Sequence, residues 1–364
     1  MVSKVATPPR RPSTELIHRG REPFAQHGFV NTPVYRGSTV LYPSLEAIET
    51  GKVPYTYGRK GSPSMRALED ALTALEGGER TMLVSSGLAA VSTAILAFAG
   101  AGDHILVADT VYRPTRQLCD EVLRRLGIET TYYDPLLGAG IAALLRPNTK
   151  VVYAESPGSQ TFEVQDLPAI GGAIKASGAY FLVDNTWATP LYHRPLALGA
   201  DVSIHAATKY VVGHADAMLG AVTANARAAV ELVKTAWGLG ACAGTEEIFL
   251  GLRGLRTMDV RLDRHWRSGL EMARWLGERP EVARVLHPAL PDFPGHGLWK
   301  RDFSGASGLF SVVLKPVGKE GLRAMLDHLS LFGMGYSWGG YESLVVPFDP
   351  ASYRTATKWV AAGP

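Results

Sequence analysis

The sequence predicts an α/β protein: a mostly parallel sheet with helices on both faces, followed by a smaller α/β unit. Three observations carry this. Short apolar, strand-like runs alternate with helically periodic segments from Pro63 to about Thr245, the pattern of right-handed βαβ crossovers. At 364 residues the chain is too long for one small core and suits two domains or one large α/β unit. With 46% hydrophobic and 20% charged residues it can bury an ordinary globular core, which excludes wholesale disorder, a coiled coil and a collagen-like rod.

Residues 1–60 are polar and Pro-containing with little periodicity, and read as an extended arm. Tyr35, Tyr42, Tyr55, Tyr57 and Arg59 suggest that the arm packs on something rather than waving free. Residues 61–245 read as the sheet-bearing domain. PSMRALEDALTALEG places Met65, Leu68, Leu72 and Leu75 at helical spacing. TMLVSS follows as a strand and GLAAVSTAILAFAG as a helix; HILVAD is a strand, and RPTRQLCDEVLRRLG a helix ended by Gly127. ETTYYD, KVVYAES, AYFLVD and DVSIHA are further strand-like runs, with LPAIGGAIKASG a helix between two of them. Residues 246–364 read as a linking helix, long or broken, and a C-terminal domain. There VARVLHPAL and LFSVVLK are strands and KEGLRAMLDHL a helix.

Composition excludes several functions. A net charge of +3, from 37 basic and 34 acidic residues, is too weak a field for a dedicated nucleic-acid or membrane-surface binder. Two cysteines outside any CxxC pair make a disulfide scaffold or structural zinc site unexpected. The longest apolar stretch, residues 87–102, is shorter than the roughly 20 residues needed to cross a bilayer. The first residues hold no apolar secretory segment, so a cytoplasmic protein is expected. No GxGxxG or P-loop follows a strand, and the ten histidines show no metal-ligating spacing, so no metal is expected.

Three local features point to chemistry. Ser86–Gly87–Leu88 joins a strand to a helix, and such a start exposes N–H groups that suit a phosphate. Asp184 stands at the carboxyl end of an apolar strand, where open α/β sheets bind ligands, although an Asp there also serves as a helix cap. Thr208–Lys209 ends another strand, and a lysine over the same crevice can form an imine. Together they describe a pyridoxal phosphate site: a lysine for the aldehyde, a carboxylate for the pyridinium nitrogen and helix-start amides for the phosphate. Tyr112 could offer an aromatic face to the ring.

With these residues in place, the chain resembles the Cys/Met-metabolism family of fold-type I pyridoxal phosphate enzymes. The resemblance runs from about Tyr35 to the last residues, on YTYGRKGSPSMRALE, SSGLAAV, DTVYRPT, VVYAESPGSQTFEV, LVDNTWATP, SIHAATKYVVGHADAMLG and YSWGGYESL. It implies a seven-stranded type of sheet and pyridoxal 5′-phosphate as cofactor. By motif, Lys209 holds the cofactor, Asp184 faces its ring nitrogen, and Tyr112 stacks on the ring and assists the substrate amine. Gly87, Leu88 and Thr208 contact the phosphate. Tyr57 and Arg59 reach the neighbouring subunit's site, Tyr57 also touching substrate, in a homotetramer of dimers that share active sites. Ser337 and Trp338 line the substrate side. Many relatives have Ser where this chain has Ala206, so Ala206 is not counted as a ligand.

ESPGS, DNTWATP and YSWGGYESL look most like bacterial cystathionine β-lyases. The resemblance therefore implies β-elimination of L-cystathionine to L-homocysteine, pyruvate and ammonia. The alternatives are a related γ-synthase, γ-lyase or cysteine-S-conjugate lyase, and a cofactor-binding relative without turnover. Relatives also carry an R-L-H-x-G-x-E strand and a final helix, whose arginine grips the substrate carboxylate. No such motif occurs before the Gly363–Pro364 turn. The chain as written is thus expected to bind the cofactor yet turn over poorly and expose apolar surface, unless Arg354 or Lys358 substitutes.

Overall fold

A computed structural model of the chain describes residues 11–360. The expected turn at Gly363–Pro364 and the first ten residues of the arm lie outside the described residues.

The arm is not uniformly extended. It contains two short helices, α1 (Pro12–His18) and α2 (Leu45–Thr50). Leu16 of α1 is fully buried, and Arg256 Nη1 donates to the carbonyls of Leu16 and Arg19, so one apolar residue and two backbone acceptors pin the arm's start to its own chain. Helix α3 (Pro63–Glu76) follows the sequence closely. The Ser62 hydroxyl accepts the Met65 N–H at 3.2 Å, Pro63 opens the first turn and Gly77 closes the last one at φ 71°. Its Met65, Leu68, Leu72 and Leu75 are all buried.

Seven strands form one sheet: β1 (Arg80–Val84), β2 (His104–Ala108), β3 (Glu129–Tyr133), β4 (Thr149–Glu155), β5 (Tyr180–Asp184), β6 (Val202–His205) and β7 (Gly220–Ala224), in the order β1-β7-β6-β5-β4-β2-β3. Strands β2 to β6 pair in parallel, and β7 lies antiparallel between β1 and β6. Strands β2, β4, β5 and β6 are buried almost throughout, as apolar runs such as HILVA and YFLVD require, whereas the edge strand β3 is only partly buried. β7 escaped the sequence reading because GAVTA is short and three of its five residues are glycine or alanine, without the bulky β-branched run that marks a strand.

The crossover helices are α4 (Gly87–Leu96), α5 (Arg113–Gln117), α6 (Leu167–Ile174) and α7 (Thr189–Tyr192), and α8 (Ala229–Gly238) follows the last strand of the sheet. The segment after α5 continues as a wide, π-type turn over Leu118–Leu123 before Gly127 ends it at φ 78°. The expected linking helix is broken into α9 (Thr245–Leu255) and α10 (Met258–Gly277). Beyond it, β8 (Val282–Leu286) pairs antiparallel with β9 (Ser311–Leu314), flanked by α11 (His296–Asp302) and α12 (Lys319–Asp327). Among the described residues, no helix is long and apolar enough to cross a membrane.

This topology positions the site. β1 and β6 are both antiparallel to β7, so they run the same way as the parallel strands. The carboxyl ends of β1, β2, β4, β5 and β6 therefore share one edge, with Ser86, Asp109, Glu155, Asp184 and Ala206 at or just beyond it.

Candidate active site

Lys209 sits in the tight turn that leaves β6. Its N–H donates to Ala206 O at 2.9 Å, and Gly213 N–H donates to Lys209 O at 2.8 Å. Thr208 locks the turn: its N–H and hydroxyl donate to Leu219 O at 2.9 and 3.1 Å, and the same hydroxyl accepts Leu219 N–H at 2.8 Å. The hydroxyl proton expected for a phosphate is thus engaged within the turn, and Thr208 acts first as a brace.

The Lys209 amine donates to Ser337 Oγ at 2.9 Å and lies 5.2 Å from the centre of the Trp338 ring. Ser337 adopts the left-handed conformation at φ 78°, a costly one for a non-glycine residue and one that clusters at functional sites. Gly339, at φ 98°, makes this approach possible, since a Cβ there would meet Lys209 backbone atoms at 3.0 Å. Trp338 also packs on Tyr210, ring centres 5.4 Å apart. Burial pushes the Lys209 amine down to about 8, against the opposing pull of the Asp184 charge.

Asp184 is buried at the end of β5. Its Oδ1 accepts the Thr186 N–H at 3.0 Å and hydroxyl at 2.6 Å, and its Oδ2 accepts the Tyr153 hydroxyl at 3.4 Å. Thr186 Oγ1 in turn accepts the Ala206 N–H at 2.9 Å, which ties the Asp184 turn to the Lys209 turn. Asp184 thus closes a local turn at Thr186 rather than capping α7, whose start has no side-chain cap. Burial pushes its carboxyl upward, while the Thr186 bonds and the neighbouring His205 pull the other way.

At the start of α4, Ser86 Oγ accepts the Ala89 N–H at 3.1 Å and Ser86 O accepts the Ala90 N–H at 3.0 Å. The N–H groups of Gly87 and Leu88 have no partner among the described residues. A Cβ at Gly87 would meet the Ala206 Cβ at 2.5 Å, so glycine is what lets this helix start close on the Lys209 turn. Tyr112 follows β2 with its ring about half exposed, and its N–H donates to Glu155 Oε2 at 2.7 Å. Burial raises the Tyr112 hydroxyl above its ordinary value, helped by the charges of Glu155 and Asp184.

Lys209, Thr208, Asp184, Tyr112, Gly87, Leu88, Ser337 and Trp338 thus gather at one sheet edge. Tyr57 and Arg59 make other contacts: Tyr57 is 45% exposed, and Arg59 Nη1 donates to the chain's own Trp237 carbonyl at 2.9 Å. The Arg354 side chain is buried and paired with Glu163 at 3.0 Å. Lys358 is exposed. Sequence reasoning missed two carboxylates of this edge, Glu155 and Asp109. Both end apolar strands as Asp184 does, so the same rule would have found them.

The donor set fits pyridoxal phosphate: two unpartnered N–H groups at a helix start that glycine opens, a buried carboxylate, and a lysine whose amine is held near neutrality. A helix-flanked sheet with this set defines a pyridoxal phosphate enzyme. Residues 13–358 match the family of Cys/Met metabolism PLP-dependent enzymes, and the chain belongs to it; its cofactor is pyridoxal 5′-phosphate. The chain is 55% identical, over 97% of its length and 90% of the relative's, to a Rhizobium johnstonii protein provisionally named a cystathionine β-lyase. It is 46% identical to the cystathionine β-lyase MetC of Escherichia coli K12, over 93% of this chain and 87% of that one. The crystal structure of metB from Corynebacterium glutamicum superposes with a TM-score of 0.88 at 33% identity, over 92% of this chain and 86% of that one.

Proposed function

We propose that the protein is a carbon–sulfur lyase that converts L-cystathionine and water to L-homocysteine, pyruvate and ammonia by β-elimination, a step of methionine biosynthesis. The observation that carries this reading is the Lys209 amine, lowered to about 8, held by Ser337 and set beside Trp338 at the strand ends that bear Asp184. The substrate rests on relatives named cystathionine β-lyase at 41% to 55% identity.

Pyridoxal phosphate, when bound, supplies the sink for the electron pair left at Cα. Every other task falls to the chain. The Gly87 and Leu88 N–H groups hold the phosphate, with Thr208 bracing the turn beside them. Asp184 keeps a proton on the ring nitrogen. Tyr112 stacks on the ring and orients the substrate amine. Lys209 removes the Cα proton and returns a proton to sulfur as homocysteine leaves. At pH 7 an amine with a pKa near 8 is about one-tenth neutral, against well under a thousandth for an ordinary lysine. Ser337 parks that amine between steps, and Trp338 bounds the thioether side.

We place the enzyme in the cytoplasm as a homotetramer of dimers that share active sites. Tyr57 and Arg59 then serve the neighbouring subunit's phosphate and substrate. Strongly exposed apolar residues in the arm, Phe24, Phe29 and Leu41, support an arm that another subunit covers. We read residues 1–60 as that arm, 61–245 as the cofactor domain and 246–364 as the linking helices and C-terminal domain.

The test is product analysis with purified holoenzyme and L-cystathionine. β-Elimination yields pyruvate and homocysteine in equal amounts. Cysteine and 2-oxobutyrate would mark γ-cleavage and overturn the reading; no oxo acid at all would mark a binding protein.

A further inference from the structure

Glu155 closes β4 as the register partner of Asp184 on β5, and the proposed reaction gives it no task. Its Oε2 accepts the Tyr112 N–H at 2.7 Å. Tyr112 is the residue before α5, and that N–H has no other partner among the described residues. The chain around Glu155 is fixed on several sides. Gln165 Nε2 donates to Glu155 O at 3.0 Å, Gln165 N–H donates to Ser156 Oγ at 3.0 Å, and Ser159 N–H donates to Thr110 O at 2.7 Å. A carboxyl group on a well-held strand end therefore links the strand beside Asp184 to the backbone of Tyr112.

We propose that Glu155 is a positioning residue of this active site: it anchors the Tyr112 backbone beside Asp184 and thereby sets how the Tyr112 ring meets the cofactor and the substrate amine. The role of Tyr112 in this statement rests on the function proposed above. The anchor needs an acceptor, not a charge. Burial and the adjacent Asp184 push the Glu155 carboxyl well above its ordinary range. A protonated carboxyl still accepts through its carbonyl oxygen, and it leaves Asp184 as the single negative charge of the pair. A glutamine of the same shape can then do the same work, whereas an alanine cannot.

The test compares Glu155→Gln and Glu155→Ala with wild type, alone and in a Tyr112→Ala background. In the cofactor-free protein, hydrogen exchange at the Tyr112 amide is expected to be slow in wild type and Glu155→Gln, and at least about tenfold faster in Glu155→Ala. With cofactor and cystathionine, Glu155→Gln keeps kcat/KM within about threefold, while Glu155→Ala loses about 10- to 100-fold, mainly in kcat. In the Tyr112→Ala background the added cost of Glu155→Ala shrinks below about threefold, because the ring it positions is gone. Unchanged Tyr112 exchange in Glu155→Ala, equal losses in the Gln and Ala variants, or additive losses with Tyr112→Ala would each overturn the proposal. If Glu155→Ala does not fold, Glu155→Leu, similar in size and without an acceptor, replaces it in every arm. The exchange measurement uses no substrate, so it decides the anchor even if cystathionine proves to be the wrong substrate.

Discussion

At the scale of single residues, the proposed chemistry rests on two side chains, Lys209 and Asp184. Lys209 and Asp184 stood out in the sequence because Asp184 ends one apolar strand and Lys209 closely follows another, in a sheet class whose strand ends collect ligands. The brace on Thr208, the left-handed Ser337 and the anchoring by Glu155 were not, since each depends on a contact between residues far apart in sequence. Desolvation lowers the Lys209 amine, so in cofactor-free protein its rate of acylation should titrate near pH 8. A midpoint near 10 would mean that the amine is solvated and the proposed base is not poised. Asp184→Asn should retain the cofactor yet lose about 10²- to 10³-fold in kcat, the scale seen when a preorganised charge is removed. Cofactor absorbance gives the first and pyruvate release the second; near-normal turnover would take the ring-nitrogen role away from Asp184.

One element, the segment Tyr353–Thr357, shows what periodicity could not reveal. It has no strand or helix pattern, yet it is tightly held. Asp109, fully buried just beyond β2, accepts the N–H groups of Thr355, Ala356 and Thr357 at 3.1, 3.0 and 2.9 Å, and pairs with buried Arg116. Burial alone would raise the Asp109 carboxyl, but the Thr355 and Thr357 bonds and the Arg116 charge hold it below its ordinary value. A group depressed in the folded state adds stability above its unfolded pKa, about 3.9 for Asp, and that stability fades as pH falls through the folded value. Asp109→Asn leaves Arg116 buried without its charge partner and should cost about 3–5 kcal/mol near pH 7. Denaturant melts at several pH values check this: the gap to wild type should be constant above about pH 5 and narrow below about pH 4. A gap that does not change with pH would mean that the carboxylate's charge is not what holds the segment. The strand β7 was missed for the opposite reason, its small residues hiding a fully buried position between β1 and β6.

For the whole molecule, the alternation of strand and helix predicts the class of fold, and Gly127 falls at the left-handed turn where a helix was expected to stop. The proposed sharing of sites between subunits rests on exposed apolar residues of the arm such as Phe24 and Phe29. Arg59→Ala and Lys209→Ala chains, each nearly inactive, should regain measurable activity when mixed under conditions that exchange subunits, since a hybrid dimer holds one site with both residues intact. Confirmed exchange with no recovery would assign each site to a single chain. The proposed reaction requires that Lys209, at the shared strand ends, carry the cofactor. Borohydride reduction of the holoenzyme followed by peptide mass mapping reads this out. A single pyridoxyl-modified peptide, modified at Lys209, is expected. Modification at another lysine, or none with cofactor demonstrably bound, would contradict it.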